Sequence, residues 1–276
     1  MEQSRTWPLL ESQCSYIAQE LNASFTKDDK KLIDAFSRKP PINEWKNIPS
    51  NGCVETNDAI SEELFLKELA SSHNLSAKEN LSKWAPFIIH DWGGIHSFRI
   101  DENRIADIQH FINTCDGPVS TNNISSFSKV AAFYKPKDYF VYDSRVAYSI
   151  NWLLFKNDYR GLFFPIPDSQ VKRIRDYDLS TILRLCKRRH YGETSDGRKK
   201  RSKQEREEEG WFFADYCALV KGIYKELKRT NDVIKHYESN GKEYPGLVEM
   251  MLYAYLDIAI EELKKIDTLN RALDRV

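Results

Sequence analysis

The sequence predicts an all-α fold, a bundle of about ten helices joined by long irregular connections. Apolar residues recur three or four positions apart through most of the chain, which is the spacing of one helix face. No convincing set of alternating apolar and polar residues is present, so any small sheet is expected in the early loops. The 276 residues, 41% of them hydrophobic, suffice for one large domain or two small ones with a substantial core.

Local chemistry sets the limits of the predicted helices. These helices cover, in chain order, residues 8–22, 28–36, 60–72, 75–90, 101–115, a short helix entered just before Lys129 and ended by Pro136, a helix that begins after Asp143, and residues 169–190, 211–229 and 244–266. The helix over 75–90 is predicted to begin at Ser76, because Glu79 three residues later completes a capping box. Pro245 suits the first turn of the last helix, where a backbone N–H donor is not needed.

The pattern divides the chain at residue 58. Residues 1–58 are predicted to form an N-terminal segment of helices and loops, and residues 59–276 the main helical domain. Residues 191–210 are strongly hydrophilic, basic at their start and acidic at their end. Such a stretch is typical of an exposed connection between helices.

Composition excludes several classes of protein. Lys plus Arg and Asp plus Glu both number 41, so the overall charge does not favour nucleic acid or a membrane surface. Five scattered cysteines without a CxxC motif argue against a disulfide framework and against a zinc or iron–sulfur centre. The N-terminus has no apolar signal-peptide core, and no apolar run reaches membrane-spanning length. We therefore expect a cytoplasmic protein that needs no metal or cofactor and contacts no membrane, with no protein partner evident.

A lysine and an aspartate stand out in residues 128–150, SKVAAFYKPKDYFVYDSRVAYSI. The pattern places Lys129 and Asp143 at the starts of two successive helices. The positive field of a helix N-terminus lowers the pKa of a nearby lysine and favours a charged aspartate. A lysine with a lowered pKa can act as a nucleophile, and an aspartate facing the same cleft can support it. The alternative is structural, with Asp143 as an ordinary helix cap and Lys129 as a solvated residue at a helix end.

This segment resembles the helix-hairpin-helix DNA glycosylases, in particular their 8-oxoguanine glycosylase-like branch. Lys129 matches the lysine that follows the family's hairpin, and Val141–Val146 matches the segment that carries its aspartate. The match covers residues 120–155, and the all-α fold of the family agrees with the helical pattern. The hairpin is divergent, because residues 122–128 contain no glycine.

The resemblance implies base excision from double-stranded DNA that contains a modified base. The enzyme would flip the nucleotide out of the duplex and cleave its N-glycosidic bond, leaving an abasic site. Lys129 would attack C1′, and Asp143 would stabilise the developing positive charge. Some relatives act in phage defence on hypermodified, glucosylated hydroxymethyl cytosine. The residues do not choose between this role, 8-oxoguanine-type repair by a glycosylase/lyase, excision on a non-DNA nucleoside, and a non-catalytic helical DNA-binding protein.

Further candidate residues follow from this frame. Candidate DNA contacts are the hairpin residues Ser125, Ser126 and Ser128, the neighbour of the aspartate Arg145, and the basic run of Arg198, Lys199, Lys200 and Arg201. Candidate walls of a base pocket are Trp92, Phe163 and Phe164, because an aromatic ring can stack on a base. The competing interpretations are a solvated basic loop for the run and core packing for the aromatic rings.

Overall fold

The computed structural model describes residues 7–25, 48, 59–117, 119–190, 211–238 and 242–273. Within these ranges the chain is mostly helical with almost no strand, which confirms the all-α class. No helix there is long and apolar enough to cross a membrane. The helix predicted over 28–36 and the basic run Arg198–Arg201 lie outside the described residues.

Most of the predicted helices are present, with sharper limits. The α-helices are α1 (Trp7–Glu11), α2 (Cys14–Ser24), α3 (Ala59–Ser71), α4 (Lys78–Pro86), α5 (Glu102–Thr114), α6 (Ile124–Tyr134), α7 (Ser144–Lys156), α8 (Lys172–Asp176), α9 (Leu179–Leu185), α10 (Phe212–Leu227), α11 (Asp232–Tyr237) and α12 (Gly246–Leu273). A π-helical turn, Phe87–Trp92, continues α4 directly.

Helix α7 is the centre of one group of helices. It packs against α2, α8, α9 and α12, and α10 packs against α2 and α12. Every residue of α7 from Val146 to Leu154 is buried. A helix that is apolar around most of its circumference has to be enclosed by its neighbours, so the α7 sequence fixes its central position.

A second group contains α3, α4, the π-helical turn, α5 and α6. Helix α6 packs against α3, α5 and the π-helical turn. The short connection from α6 to α7 joins the two groups, and it contains Val141, Tyr142 and Asp143. The described part of the N-terminal segment belongs to the first group, because α2 packs on α10.

Three predicted elements differ from the structure. The helix expected over 169–190 is broken into α8 and α9 at Tyr177, and a small parallel sheet joins Leu162–Phe163 to Arg189–His190. The early loops in which a sheet was expected lie almost wholly outside the described residues. Helix α4 begins at Lys78, after Ala77, and not at Ser76. Ser76 does not cap the helix, because its hydroxyl donates to the Asn74 side chain. The break at Tyr177 arises where Asp178 begins α9 by accepting the Thr181 N–H.

We predict that Asn151→Ala destabilises the protein by about 2–4 kcal/mol, since it removes the side-chain hydrogen bonds of two buried backbone groups. The Asn151 amide donates to the Phe164 carbonyl at 2.8 Å and accepts the Phe164 N–H at 2.9 Å, both in the interior. Urea denaturation measures the change. Asn157→Ala removes a part-buried amide contact at the end of the same helix, and it should cost less than about 1 kcal/mol. Equal losses for the two variants would contradict the prediction.

Candidate active site

A small cavity of about 80 Å³ lies where the two groups of helices meet. Its lining comes from α3, the π-helical turn, α6, the α6–α7 connection and α12. The lining residues are Glu63, Trp92, Gly93, Lys129, Val141, Asp143, Glu249 and Tyr253. The structure thus brings Lys129, Asp143 and Trp92, three residues predicted from the sequence, into one cavity.

The π-helical turn forms one wall of this cavity. Pro86 has no N–H and cannot continue the α-helical hydrogen bonding, and the wider π-turn follows it directly. Trp92 ends the turn and packs edge-on against Phe133, with ring centroids 4.9 Å apart. Gly93 follows, and a Cβ atom there would lie 2.8 Å from Cδ of Lys129. A glycine at this position therefore allows Lys129 to lie against the turn.

Lys129 lies in the middle of α6, and the predicted position at a helix start is wrong. The helix begins at Ile124, after Asn123 with a left-handed φ of 59°. Residues 124–128, which were expected to form the hairpin, are the first turns of the helix. Asparagine tolerates the left-handed conformation, so the turn needs no glycine.

The pKa of Lys129 is determined by its burial and not by the field of a helix terminus. Its residue exposure is 6%, and its Nζ donates to the Ser125 carbonyl at 3.1 Å. No ion pair of Lys129 occurs among the residues that the structure describes. Burial lowers the pKa of Lys129, and the nearby carboxylates of Asp143, Glu249 and Glu63 offset this effect in part. An amine with a lowered pKa is uncharged more often than an exposed lysine.

Asp143 caps α7, as the sequence predicted. Its Oδ1 accepts the N–H groups of Arg145 and Val146 at 2.9 and 3.0 Å. Within the described ranges no hydrogen bond involves the second oxygen, Oδ2. Asp143 therefore lines the cavity with one carboxylate oxygen held in place by the start of α7.

The α6–α7 connection is fixed by side chains from three directions. The Ser128 hydroxyl accepts the Tyr142 N–H at 2.9 Å and donates to the Tyr142 carbonyl. The Tyr216 hydroxyl donates to the Val141 carbonyl at 2.6 Å. Glu249 accepts the Val141 N–H at 2.9 Å. These bonds orient the backbone immediately before Asp143.

A buried cluster of three charges, which local sequence patterns did not predict, borders the cavity through Glu63 and Glu249. Lys67 pairs with Glu63 at 3.0 Å and with Glu249 at 3.3 Å, and all three side chains are buried. Burial alone would lower the pKa of Lys67, but Glu249 and Glu63 together raise it. Lys67 and Glu249 are 182 positions apart in the chain, so no local spacing predicts the pair.

Four of the predicted contact residues are buried in the structure. Ser126 and Ser128 have exposures of 3% and 0%, and Phe163 and Phe164 are both fully buried. The serines cannot reach a DNA phosphate in this conformation, because the helix they begin packs inward. The two phenylalanines belong to the core, so neither is a platform for a base. Ser125 is half-buried and its carbonyl receives Lys129.

Arg145 lies next to the cavity, in a position compatible with its predicted role. Its guanidinium lies over the ring of Tyr253, 4.6 Å from the centroid. Tyr253 is half-buried and lines the cavity. The pair therefore forms part of the cavity's boundary with the surface.

Among the described residues, no group of three or more His, Cys, Asp or Glu side chains is arranged to hold a metal ion. Comparisons of the chain with models of protein families, with curated proteins and with solved structures found no match. Geometry and chemistry therefore carry the functional argument.

We predict that Gly93→Ala destabilises the protein by about 1–3 kcal/mol through overpacking. The new Cβ would lie 2.7 Å from the carbonyl oxygens of Ile88 and Ile89 and would press on Lys129. Thermal unfolding measures the loss. Gly117→Ala is the matched control, because its nearest contact is the Thr114 carbonyl at an ordinary 3.6 Å. A Gly93→Ala protein as stable as the control would contradict the described packing.

We predict that Lys129→Met stabilises the protein at neutral pH. The folded-state pKa of Lys129 is lowered, so below that pKa the folded protein bears the cost of a buried ammonium ion. The cost declines as pH rises from the folded pKa toward the unfolded value of about 10.4. The gain in the free energy of unfolding should therefore be largest at low pH and shrink toward pH ~10. Urea denaturation at several pH values tests this, and a loss of stability in Lys129→Met would contradict it.

Proposed function

We propose that this protein is a DNA glycosylase that excises a modified base from double-stranded DNA. The observation that carries the proposal is a buried lysine without an ion pair in the described structure, in one cavity with an aspartate. Burying an amine without an ionic partner costs stability. Proteins accept such a cost mainly at functional sites, where catalytic groups need shifted pKa values. A lowered pKa is what a nucleophilic lysine needs.

The two side chains suit the two requirements of cleavage of a glycosidic bond. The Lys129 nitrogen would attack C1′ of the flipped nucleotide as the bond to the base breaks. The Asp143 carboxylate would oppose the positive charge that develops on the sugar, since fixed charges aimed at the transition state lower its energy. Asp143 is well suited because α7 holds its Oδ1 in place and the residue lines the cavity. Without attack by Lys129, the same carboxylate would direct water and leave a plain abasic site.

Substrate entry requires the cavity to open. Its volume of about 80 Å³ is below the ~300–1,000 Å³ of typical ligand pockets. The Arg145–Tyr253 pair at its boundary would separate, which frees Tyr253 to stack on the nucleotide and Arg145 to bind a phosphate. The basic run Arg198–Arg201 would add phosphate contacts that are sensitive to salt.

We place the activity in the cytoplasm, in phage defence against hypermodified cytosine, with 8-oxoguanine-type repair as the second candidate. The divergent turn before α6 supports the first choice. A left-handed Asn123 replaces the glycine-rich hairpin, and the following serines are buried. Such a turn is unlike that of a housekeeping 8-oxoguanine enzyme.

We predict that the protein releases a base from DNA containing glucosylated hydroxymethylcytosine, and that Asp143→Asn lowers release at least about 100-fold. The assay incubates this DNA, an 8-oxoguanine duplex and unmodified DNA with the protein, then detects alkali-sensitive breaks. Asp138→Asn is the matched control, because Asp138 lies before the same helix but pairs with Lys221 at the surface. Full activity in Asp143→Asn, or no release from any DNA, would refute the assignment.

We predict that borohydride traps the wild-type protein covalently on the DNA it cleaves, through Lys129. The expected product is a reduced Schiff base, which mass spectrometry of the digested adduct locates. Lys67 is an internal control, because it is equally buried but held by two carboxylates. An adduct on Lys67, or none while bases are released, would remove the nucleophilic role of Lys129.

A further inference from the structure

A single buried hydroxyl joins the chain segments that carry the proposed catalytic pair. The Ser128 Oγ accepts the Tyr142 N–H at 2.9 Å and donates to the Tyr142 carbonyl at 3.3 Å. Ser128 directly precedes Lys129, and Tyr142 directly precedes Asp143. Because consecutive Cα atoms lie about 3.8 Å apart, these two hydrogen bonds are one residue away from each member of the pair.

The backbone that Ser128 holds is also anchored by the side chain of Tyr142. The Tyr142 hydroxyl donates to the Pro165 carbonyl at 2.6 Å, and its ring packs edge-on against Tyr216 of α10 with centroids 5.1 Å apart. Ser128 and Tyr142 are both fully buried. Tyr142 is thus fixed in the group of helices around α7, and Ser128 bonds it to α6 in the second group.

The Ser128 hydroxyl serves both backbone polar groups of Tyr142. A buried N–H and a buried carbonyl that lose their partner have to find new ones, so removal of the hydroxyl would shift the backbone that leads into Asp143. A displacement of about 1 Å between reacting groups can lower a rate about 100-fold. The position of Asp143 relative to Lys129 therefore depends on Ser128.

We propose that Ser128 is a positioning residue, which holds the Asp143 carboxylate in register with the Lys129 amine for the reaction. The inference rests on the proposed function and extends it to a residue that touches neither the substrate nor the reacting atoms. Ser128 acts only through the Tyr142 backbone, so it takes no part in the transfer of a proton or of charge. The serine expected from the sequence to contact DNA thus serves the reaction from the interior.

The charge of Asp143 provides a measure of this register that needs no DNA. Burial lowers the pKa of Lys129, and Asp143 is the carboxylate that opposes this effect most. The remaining charged groups that act on Lys129 are Glu249, Glu63 and Lys67. Loss of the Ser128 hydroxyl should weaken the effect of Asp143 first, because Ser128 holds the backbone that leads into it. The pKa of Lys129 should then fall further.

An NMR titration of the Lys129 side chain in the free protein tests the inference as a double-mutant cycle. We expect Ser128→Ala and Asp143→Asn each to lower the pKa of Lys129. The double variant should titrate as Asp143→Asn does, because Ser128 acts through that carboxylate. Ser149→Ala is the matched control and should leave the Lys129 pKa unchanged. Ser149 is a fully buried serine of α7 whose hydroxyl has no hydrogen-bond partner in the described part of the chain.

Base release measures the consequence for the reaction. On DNA from which the wild-type protein releases a base, Ser128→Ala should lower kcat about 10–100-fold at an unchanged KM, because the reacting groups are present but misaligned. Ser149→Ala should retain the wild-type kcat. Circular dichroism verifies folding of each variant.

The variant Ser128→Cys keeps the test open if Ser128→Ala does not fold. A thiol is a weak donor and a weak acceptor, so this variant weakens the same two hydrogen bonds at a similar side-chain volume. It should change kcat and the Lys129 pKa in the same directions as Ser128→Ala.

Four results would overturn the inference. They are an unchanged Lys129 pKa in Ser128→Ala, an equal fall in Ser149→Ala, a double variant with a lower Lys129 pKa than Asp143→Asn alone, and a wild-type kcat in Ser128→Ala. The last result would remove the positioning role and leave the glycosylase assignment intact. The expected pKa cycle in a protein that releases no base would remove the glycosylase proposal alone.

Discussion

The burial of Lys129 without an ionic partner in the described structure is the constraint around which the site is organised. Two buried lysines lie near the same cavity, and they differ in what surrounds them. Lys67 is held by two carboxylates, and its pKa is raised. Lys129 has a backbone carbonyl as its hydrogen-bond acceptor, and burial lowers its pKa. Helices α3 and α6 pack on each other, so one interface contains a lysine whose pKa is raised by two carboxylates and a second lysine whose pKa is lowered by burial. This division supports the interpretation of Lys129 as the reactive residue.

The rest of the fold maintains this arrangement. The π-helical turn after Pro86 brings Gly93 against the Lys129 side chain, where a Cβ atom would not fit. Ser128, Tyr216 and Glu249 hold the backbone of the α6–α7 connection, and the enclosed helix α7 fixes Asp143 at its first turn. A large apolar core and many buried hydrogen bonds thus offset the free-energy cost of burying the Lys129 amine.

The sequence predicted the all-α class and the cap at Asp143, because both depend on local spacing and local chemistry. It placed Lys129 wrongly at a helix start, since Asn and Ser before it resemble a loop although α6 begins at Ile124. Ser128 and Phe164 are buried by contacts with parts of the chain that are remote in sequence. Local sequence periodicity does not predict such contacts. The Lys67–Glu249 pair joins residues 182 positions apart. A charged residue in an amphipathic helix pattern is expected on the exposed face, so the sequence does not predict that two such residues form a buried ion pair.

The central claim, that burial lowers the pKa of the Lys129 amine, is tested most directly by NMR of the lysine side chains. Titration of the Cε and Nζ resonances in the free wild-type protein, with Lys129→Met for assignment, reports the charge of each amine. We expect the Lys129 amine to lose its proton at a lower pH than an ordinary lysine. A Lys129 resonance that titrates near pH ~10.4, as an ordinary lysine does, would contradict the claim.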